Sequence, residues 1–302
     1  MSKSASPFFL RTTPPAALPC ILLAIALSAV YCGASRDSDP TTNLPPTPSI
    51  SAIVADHSAA AAFDRIPARW LEAVRRNLKM YYGHTSHGSQ ITIGLQDIQT
   101  QYGGAYNVAI TQGSLPSDSG AFAVLDASTY EWSADFYPTV PGVLNANPQI
   151  NVVMYMWCGQ HSGLSWKTAL DTYLADMQSL EQRYPNVRFI YATGNAMEQD
   201  CTGCLREQFN KGLRQFAADH KKVLFDFGDL DAWYNGKQTT YVTPNWCGQY
   251  GCSQATKIPA AAVEWGGSDY NNPCGHALYP SCDNKAKAFW WMAARLAGWD
   301  GN

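Results

Sequence analysis

Apolar positions in this chain fall into two patterns that take turns. Short, nearly continuous apolar runs occur at "LKMYYG" (78–83), "YNVAIT" (106–111), "QINVVMYMW" (149–157), "NVRFIYAT" (186–193) and "KVLFDFGD" (222–229). Runs of that length read as strands, and the third suits a strand covered on both faces, as in a parallel sheet. Between them the apolar residues recur at three- and four-residue spacing. Trp166, Leu170, Tyr173, Leu174, Met177 and Leu180 form one such stripe, and Leu205, Phe209, Leu213 and Phe216 another. Both read as helices with one buried face. Further helices are expected over 89–102, from about Asp283 to Ala297 with Gly298 placed to stop it, and in a short opening segment where Pro67 suits a first helical position. Strands alternating with helices predict an α/β fold around a mostly parallel sheet of five strands. Residues 230–282 show neither period. A stretch that long is usually functional or tied by disulfides.

The N-terminus departs from this rhythm. Lys3 and Arg11 precede the apolar core "ILLAIALSAV" (21–30), which reads as a signal peptide over residues 1–32. Cys32, in "LSAVYCGAS", gives the stretch a resemblance to bacterial lipoprotein signals, whose cysteine carries the lipid after cleavage. Residues 33–62 include the Ser-, Thr-, Asp- and Pro-rich "SRDSDPTTNLPPTPS" and are expected to be a flexible tether. The folded domain is then expected over 63–302. The implied location is exported, with membrane contact only through a lipid at Cys32.

Export changes how the other cysteines read, because an oxidising compartment favours disulfides. Sequence neighbours suggest Cys201–Cys204, Cys247–Cys252 and Cys274–Cys282, leaving Cys158 over. The net charge of −3 carries no Lys/Arg block, so nucleic acid is not an expected partner. Ten tryptophans and sixteen tyrosines leave room for aromatic surface that contacts flat ligands such as sugar rings.

In parallel α/β sheets, ligands bind beyond the carboxyl ends of the strands. The residues that follow the predicted strands are therefore the candidate chemistry. They are His84-Thr85-Ser86-His87-Gly88, then Thr111-Gln112-Gly113-Ser114, then Cys158-Gly159-Gln160-His161-Ser162, then Gly194-Asn195, and last Asp226, Asp229 and Asp231. Five separate segments deliver hydroxyls, amides, imidazoles and carboxylates to one edge. That convergence says more than any single motif.

This layout resembles the SGNH/GDSL hydrolase superfamily, serine esterases and acylhydrolases of flavodoxin-like, three-layer α/β/α architecture. The resemblance spans roughly residues 65–301 and is carried by "HTSHG", "CGHALYPSCDN" and the closing "KAKAFWWMAARLAGWDG". By position it implies Ser86 as nucleophile and His276 as general base, with Gly113 and Gln160 as oxyanion donors. His84 and Asn195 fall where they would contact substrate. The family's Gly-Asp-Ser is here His84-Thr85-Ser86, its oxyanion Asn is Gln160, and its acid three residues before the histidine is Pro273. Asp269, Asp226, Asp231 or a backbone carbonyl are then the candidates to orient His276. His87 and His161 are expected at the rim of the site.

The function expected on these grounds is deacylation of an extracellular polysaccharide or glycoconjugate ester, with no cofactor and no metal. Two alternatives stand beside it. The same fold with a decayed triad would be a carbohydrate- or surface-binding protein. His84, His87 and His161 with Asp226 or Asp231 would be the ligand set of a metal-dependent hydrolase.

Overall fold

A computed structural model describes residues 52–118, 120–129, 131–158, 161, 163, 165–196, 201–234, 236–238 and 273–302. All of these lie within one compact unit, Pro48–Asn302. The signal, the lipidation cysteine and most of the tether lie outside the described residues, as do Gln160, Asp269, Cys247 and Cys252.

Seven parallel strands form the central sheet: β1 (Ile53–Ala55), β2 (Lys79–His84), β3 (Val108–Thr111), β4 (Phe122–Ser128), β5 (Val152–Met156), β6 (Arg188–Ala192) and β7 (Val223–Phe225). Their order is β1-β7-β6-β5-β2-β4-β3. The sheet thus has seven strands where the apolar runs predict five. One of the added pair, β1, lies in the expected tether. Residues 53–55 pair with β7, and Asp56 caps the short helix α1 (His57–Ala61) by accepting from the N–H groups of Ser58 and Ala59. Only three residues long, β1 is too short to show a period, and it is held by its pairing with β7 rather than by local pattern. The other addition, β4, is the run "FAVLDAS".

Helices cover both faces, giving the three-layer α/β/α sandwich. On one side lie α1, α2 (Ala68–Asn77), α3 (Ser89–Tyr102) and the C-terminal helix, α8 (Tyr279–Leu296); on the other lie α4 (Val140–Ala146), α5 (Trp166–Arg183) and α6 (Cys201–Asp219). The helix α7 (Phe227–Ala232) follows β7, and a small antiparallel pair, β8 (Trp233–Tyr234) and β9 (Lys237–Gln238), follows it. Strand residues split between the two cores by parity. Met80 and Tyr82 face α3 and α8, whereas Tyr81 faces α4 and α5; Val152, Met154 and Met156 oppose Val153 and Tyr155 in the same way. Covering both faces is what makes these strands continuously apolar.

The connectivity reverses at β2. After β2 the chain moves outward to β3 and returns through β4, then crosses to β5, β6 and β7 on the other side. The carboxyl end of β2, flanked by β4 and β5, is therefore the switch point, where such sheets open a crevice.

Candidate active site

Ser86 stands at that switch point. β2 ends at His84, whose carbonyl accepts from Thr129 N (2.9 Å), while Thr85 N donates to Met156 O (3.3 Å). The strand end is thus tied to both neighbours. Ser86 then opens a 3₁₀ turn, Ser86–Gly88, that runs into α3. The turn is tight. A Cβ on Gly88 would collide with the Cβ atoms of His84 and Met156, and Gly88 O accepts from the buried Tyr82 hydroxyl (2.8 Å). Ser86 itself has φ 36°, on the left-handed side that non-glycine residues rarely occupy. Such a conformation costs on the order of 1–3 kcal/mol and persists only where the surroundings enforce it.

Its partner reaches it from 190 residues away. Cys274 and Ala277 exchange backbone hydrogen bonds (3.0 and 2.8 Å), closing a tight turn whose central residues are Gly275 (φ 47°) and His276 (φ 76°). Positive φ at both central positions is the signature of a type I′ turn. The turn holds the His276 imidazole so that Nε2 contacts Ser86 Oγ. It docks on the first turn of α3: Gln90 Nε2 donates to Gly275 O (2.6 Å), and a Cβ on Gly275 would run into Ser89 Oγ. Behind the turn, Cys274 is joined to Cys282 of α8, their Cα atoms 6.4 Å apart. α8 in turn presses on α3 so closely that a Cβ on Gly94 would meet the Cys282 carbonyl.

Burial holds the His276 imidazole below its ordinary pKa, so the ring is neutral at neutral pH and can accept a proton. A serine hydroxyl facing a neutral imidazole is the arrangement by which a weak nucleophile is activated. The start of the helical turn adds N–H groups and a positive dipole end beside it, which favour developing negative charge.

The neighbouring imidazoles have other places. His84 is buried, with Nε2 2.9 Å from Asp126 Oδ1 on β4, so its ring is held by a carboxylate. His87 is buried rather than at the rim; it stacks on His276 with ring centroids 4.4 Å apart, and its Nδ1 lies 3.2 Å from Cys158 Sγ. His161 is also buried, packed on Trp157 and Phe209, and burial pushes its pKa well down.

Three expected site residues serve other bonds. Asp226 accepts from Arg214 Nε and Nη2 (2.6 and 2.9 Å), from the Thr193 hydroxyl (2.9 Å) and from Asp229 N (3.2 Å). Asp231 pairs with Lys285 Nζ (2.7 Å) and accepts from Ala196 N (2.9 Å). Neither carboxylate is directed to His276. Asn195 is buried rather than turned to a ligand: its carbonyl accepts from Arg206 (2.7 Å) and its amide donates to Ala196 O (3.0 Å). The physical reason is shared. Arg206, Arg214 and Lys285 come from helices whose charges must be compensated where they meet the sheet edge, and the nearest carboxylates and amides do that.

Gly113 keeps the positive φ (85°) expected of a turn glycine and is exposed. It follows β3, however, and β4 separates that strand from β2. The residues beside the end of β2 on that side are Ser128, which pairs with His84, and Thr129, which donates to the His84 carbonyl. The His84, Asp226 and Asp231 members of the metal reading are bound to Asp126, Arg214 and Lys285. Among the described residues, the cluster with ligand atoms within 4.8 Å of one another is Asp56, His57 and Asp229, at the β1–β7 end. No described helix is long and apolar enough to cross a membrane.

Fold and site together define a three-layer α/β/α protein with a serine–histidine contact at the switch point of a parallel sheet. No protein-family model matches the chain, and no curated protein does. Among solved structures it is similar to a catalytic mutant of an acetylxylan esterase from Geobacillus stearothermophilus, at 13% identity and a TM-score of 0.37, over 74% of this chain and 95% of that one.

Proposed function

We propose that this chain is an exported serine esterase that removes an acyl group, most simply acetyl, from an extracellular polysaccharide or glycoconjugate. The observation that carries the reading is the contact between Ser86 Oγ and His276 Nε2, made by two residues both held at positive φ. Two independent strained conformations that converge on one contact argue for selection of that contact.

In this reading His276 takes the Ser86 proton as Oγ attacks the ester carbonyl. N–H groups at the head of α3, with the Gln160 amide, receive the oxyanion; one such donor is worth about 3 kcal/mol in a transition state. As the acyl–oxygen bond breaks, the protonated imidazole passes its proton to the departing sugar oxygen, which leaves as the free hydroxyl. Water, deprotonated by the same ring, then releases the acid and restores Ser86.

The test is labelling by a fluorophosphonate together with hydrolysis of a short-chain aryl ester. The wild-type chain is expected to do both, and Ser86→Ala neither. Hydrolysis retained by a folded Ser86→Ala variant overturns the assignment. A wild-type chain that takes up no label and cleaves no ester is a binder on the same fold.

A further inference from the structure

A cavity of about 240 Å³ opens on the α5 side of the sheet's carboxyl edge. Its walls come from Glu131, just after β4, from Trp157, just after β5, and from Ser165, Thr168 and Thr172 at the head of α5. β4 and β5 are the strands on either side of β2. The cavity therefore lies beyond the carboxyl ends of the two strands that flank β2. Trp157 also precedes Cys158, whose sulfur touches His87, the residue next to Ser86.

The polar groups around it are of two kinds. Donors come first. Trp157 is buried to 3% exposure, and its indole N–H has no hydrogen-bond partner among the described residues. Ser165, at the N-cap of α5, makes no side-chain cap bond, so the head of an 18-residue helix faces this wall with its positive end. The acceptor is the Glu131 carboxylate, whose pKa is raised by burial and then by Asp135. The hydroxyls of Ser165, Thr168 and Thr172 can do either.

This mixture selects against charge of both signs. An anion drawn to the helix head and the indole N–H would meet Glu131. A cation drawn to Glu131 would meet the helix head. A neutral ligand that donates and accepts at several points satisfies both walls. The volume lies below the roughly 300–1,000 Å³ of drug-sized pockets, which suits one small ring. We infer that this cavity binds a single neutral, polyhydroxylated ring, a monosaccharide unit, on the alcohol side of the ester. Its place in the reaction rests on the esterase reading; the binding itself does not.

The full chain is titrated with methyl β-D-glucopyranoside, methyl β-D-xylopyranoside, choline and acetate, followed by tryptophan fluorescence and calorimetry. None of these needs turnover, so the outcome is independent of the labelling experiment above. The expected result is saturable binding of at least one glycoside at millimolar concentration, with choline and acetate at least tenfold weaker. Thr168→Val, on an exposed helix position, and Trp157→Phe are each expected to weaken that binding about tenfold, the loss of one hydrogen bond of about 1.4 kcal/mol. Thr168→Val guards against a Trp157→Phe chain that fails to fold. Absence of glycoside binding, tighter binding of choline or acetate, or glycoside affinity unchanged in a folded Thr168→Val variant overturns the inference.

Discussion

Ser86 and His276 meet, but they are held in different ways. Ser86 is fixed by sheet topology: it lies two residues beyond the end of a central strand bonded on both sides and opens the turn that leads into α3. His276 belongs to no strand of the sheet. It is carried by a two-residue turn that is fastened to α3 through Gln90 and to α8 through Cys282. The nucleophile's position is therefore a property of the fold, while the base's position depends on a handful of contacts. Substitutions that leave the sheet intact can still displace the base.

The largest break in that comparison comes from the base itself. His276→Ala is expected to lower kcat/KM by about 10⁴-fold or more, far beyond the modest loss of melting temperature that follows from losing the stack on His87, with circular dichroism showing a folded chain. In the wild type, burial lowers the His276 pKa from 6.5. The active form is the neutral imidazole, so activity is expected to be flat above neutrality and to fall as pH drops through a midpoint below 6.5. A pH–rate profile with its acid limb above that value contradicts the assignment of His276 as base.

The tie from turn to helix comes next. Removing the Cys274–Cys282 link as a double serine variant frees a loop of sequence separation 8, worth about 2–3 kcal/mol by loop-closure entropy. If the turn is positioned through this tie, kcat falls more than KM rises. A loss of thermal stability alone, with unaltered kcat, would show that the Gln90 contact suffices.

These contrasts also explain what could be read in advance. Long, doubly covered strands announce themselves as apolar runs, and the α5 stripe matches its helix from Trp166 onward. β4 carried the same signal in "FAVLDAS", a run after Gly120, but it was hidden between a turn-rich stretch and an aromatic cluster. Its place in the sheet bears on two site residues. Gly113, expected as an oxyanion donor, follows a strand that does not adjoin β2, and Asp126, which holds His84, lies on β4 itself. The partners of Asp226 and Asp231 lay beyond any local pattern. Arg214 and Lys285 sit on faces whose pairing only the tertiary fold decides. The same holds for the turn at Gly275-His276, since nothing local assigns a histidine a positive φ.

The contact between α3 and α8 sets two rules against each other at Gly94. Helix propensity alone says that Ala at an interior helix position is better than Gly by about 1 kcal/mol. The close approach of the Cys282 carbonyl says the opposite, because an added methyl must push the helices apart, at a typical cost of about 1–3 kcal/mol. Gly94→Ala is therefore expected to destabilise by about 1 kcal/mol and to lower kcat as the base end moves away from the nucleophile end. Chemical denaturation of the two chains decides the sign, and a stabilised variant would mean that the helices separate freely.

The smallest expected effect lies on the same interface. Asp283 of α8 faces Asp97 of α3, with Gln101 Nε2 bridging both carboxylates (2.8 and 3.0 Å). Burial, then the bond to Asp97, raises the Asp283 pKa to about 6. A group whose folded pKa lies above its unfolded 3.8 takes up protons on folding. Its stabilising contribution is complete below pH 3.8 and is lost as pH rises toward 6, where two charges come to face each other. Asp283→Asn keeps the hydrogen bond without the second charge. It is expected to raise Tm by about 1 °C at pH 8, a small figure because the pair is partly screened by solvent, and to leave Tm unchanged near pH 4. If the α3–α8 contact positions the base, kcat at pH 8 rises with it. A gain in Tm with no change in kcat would place the control of His276 in the turn and its disulfide alone.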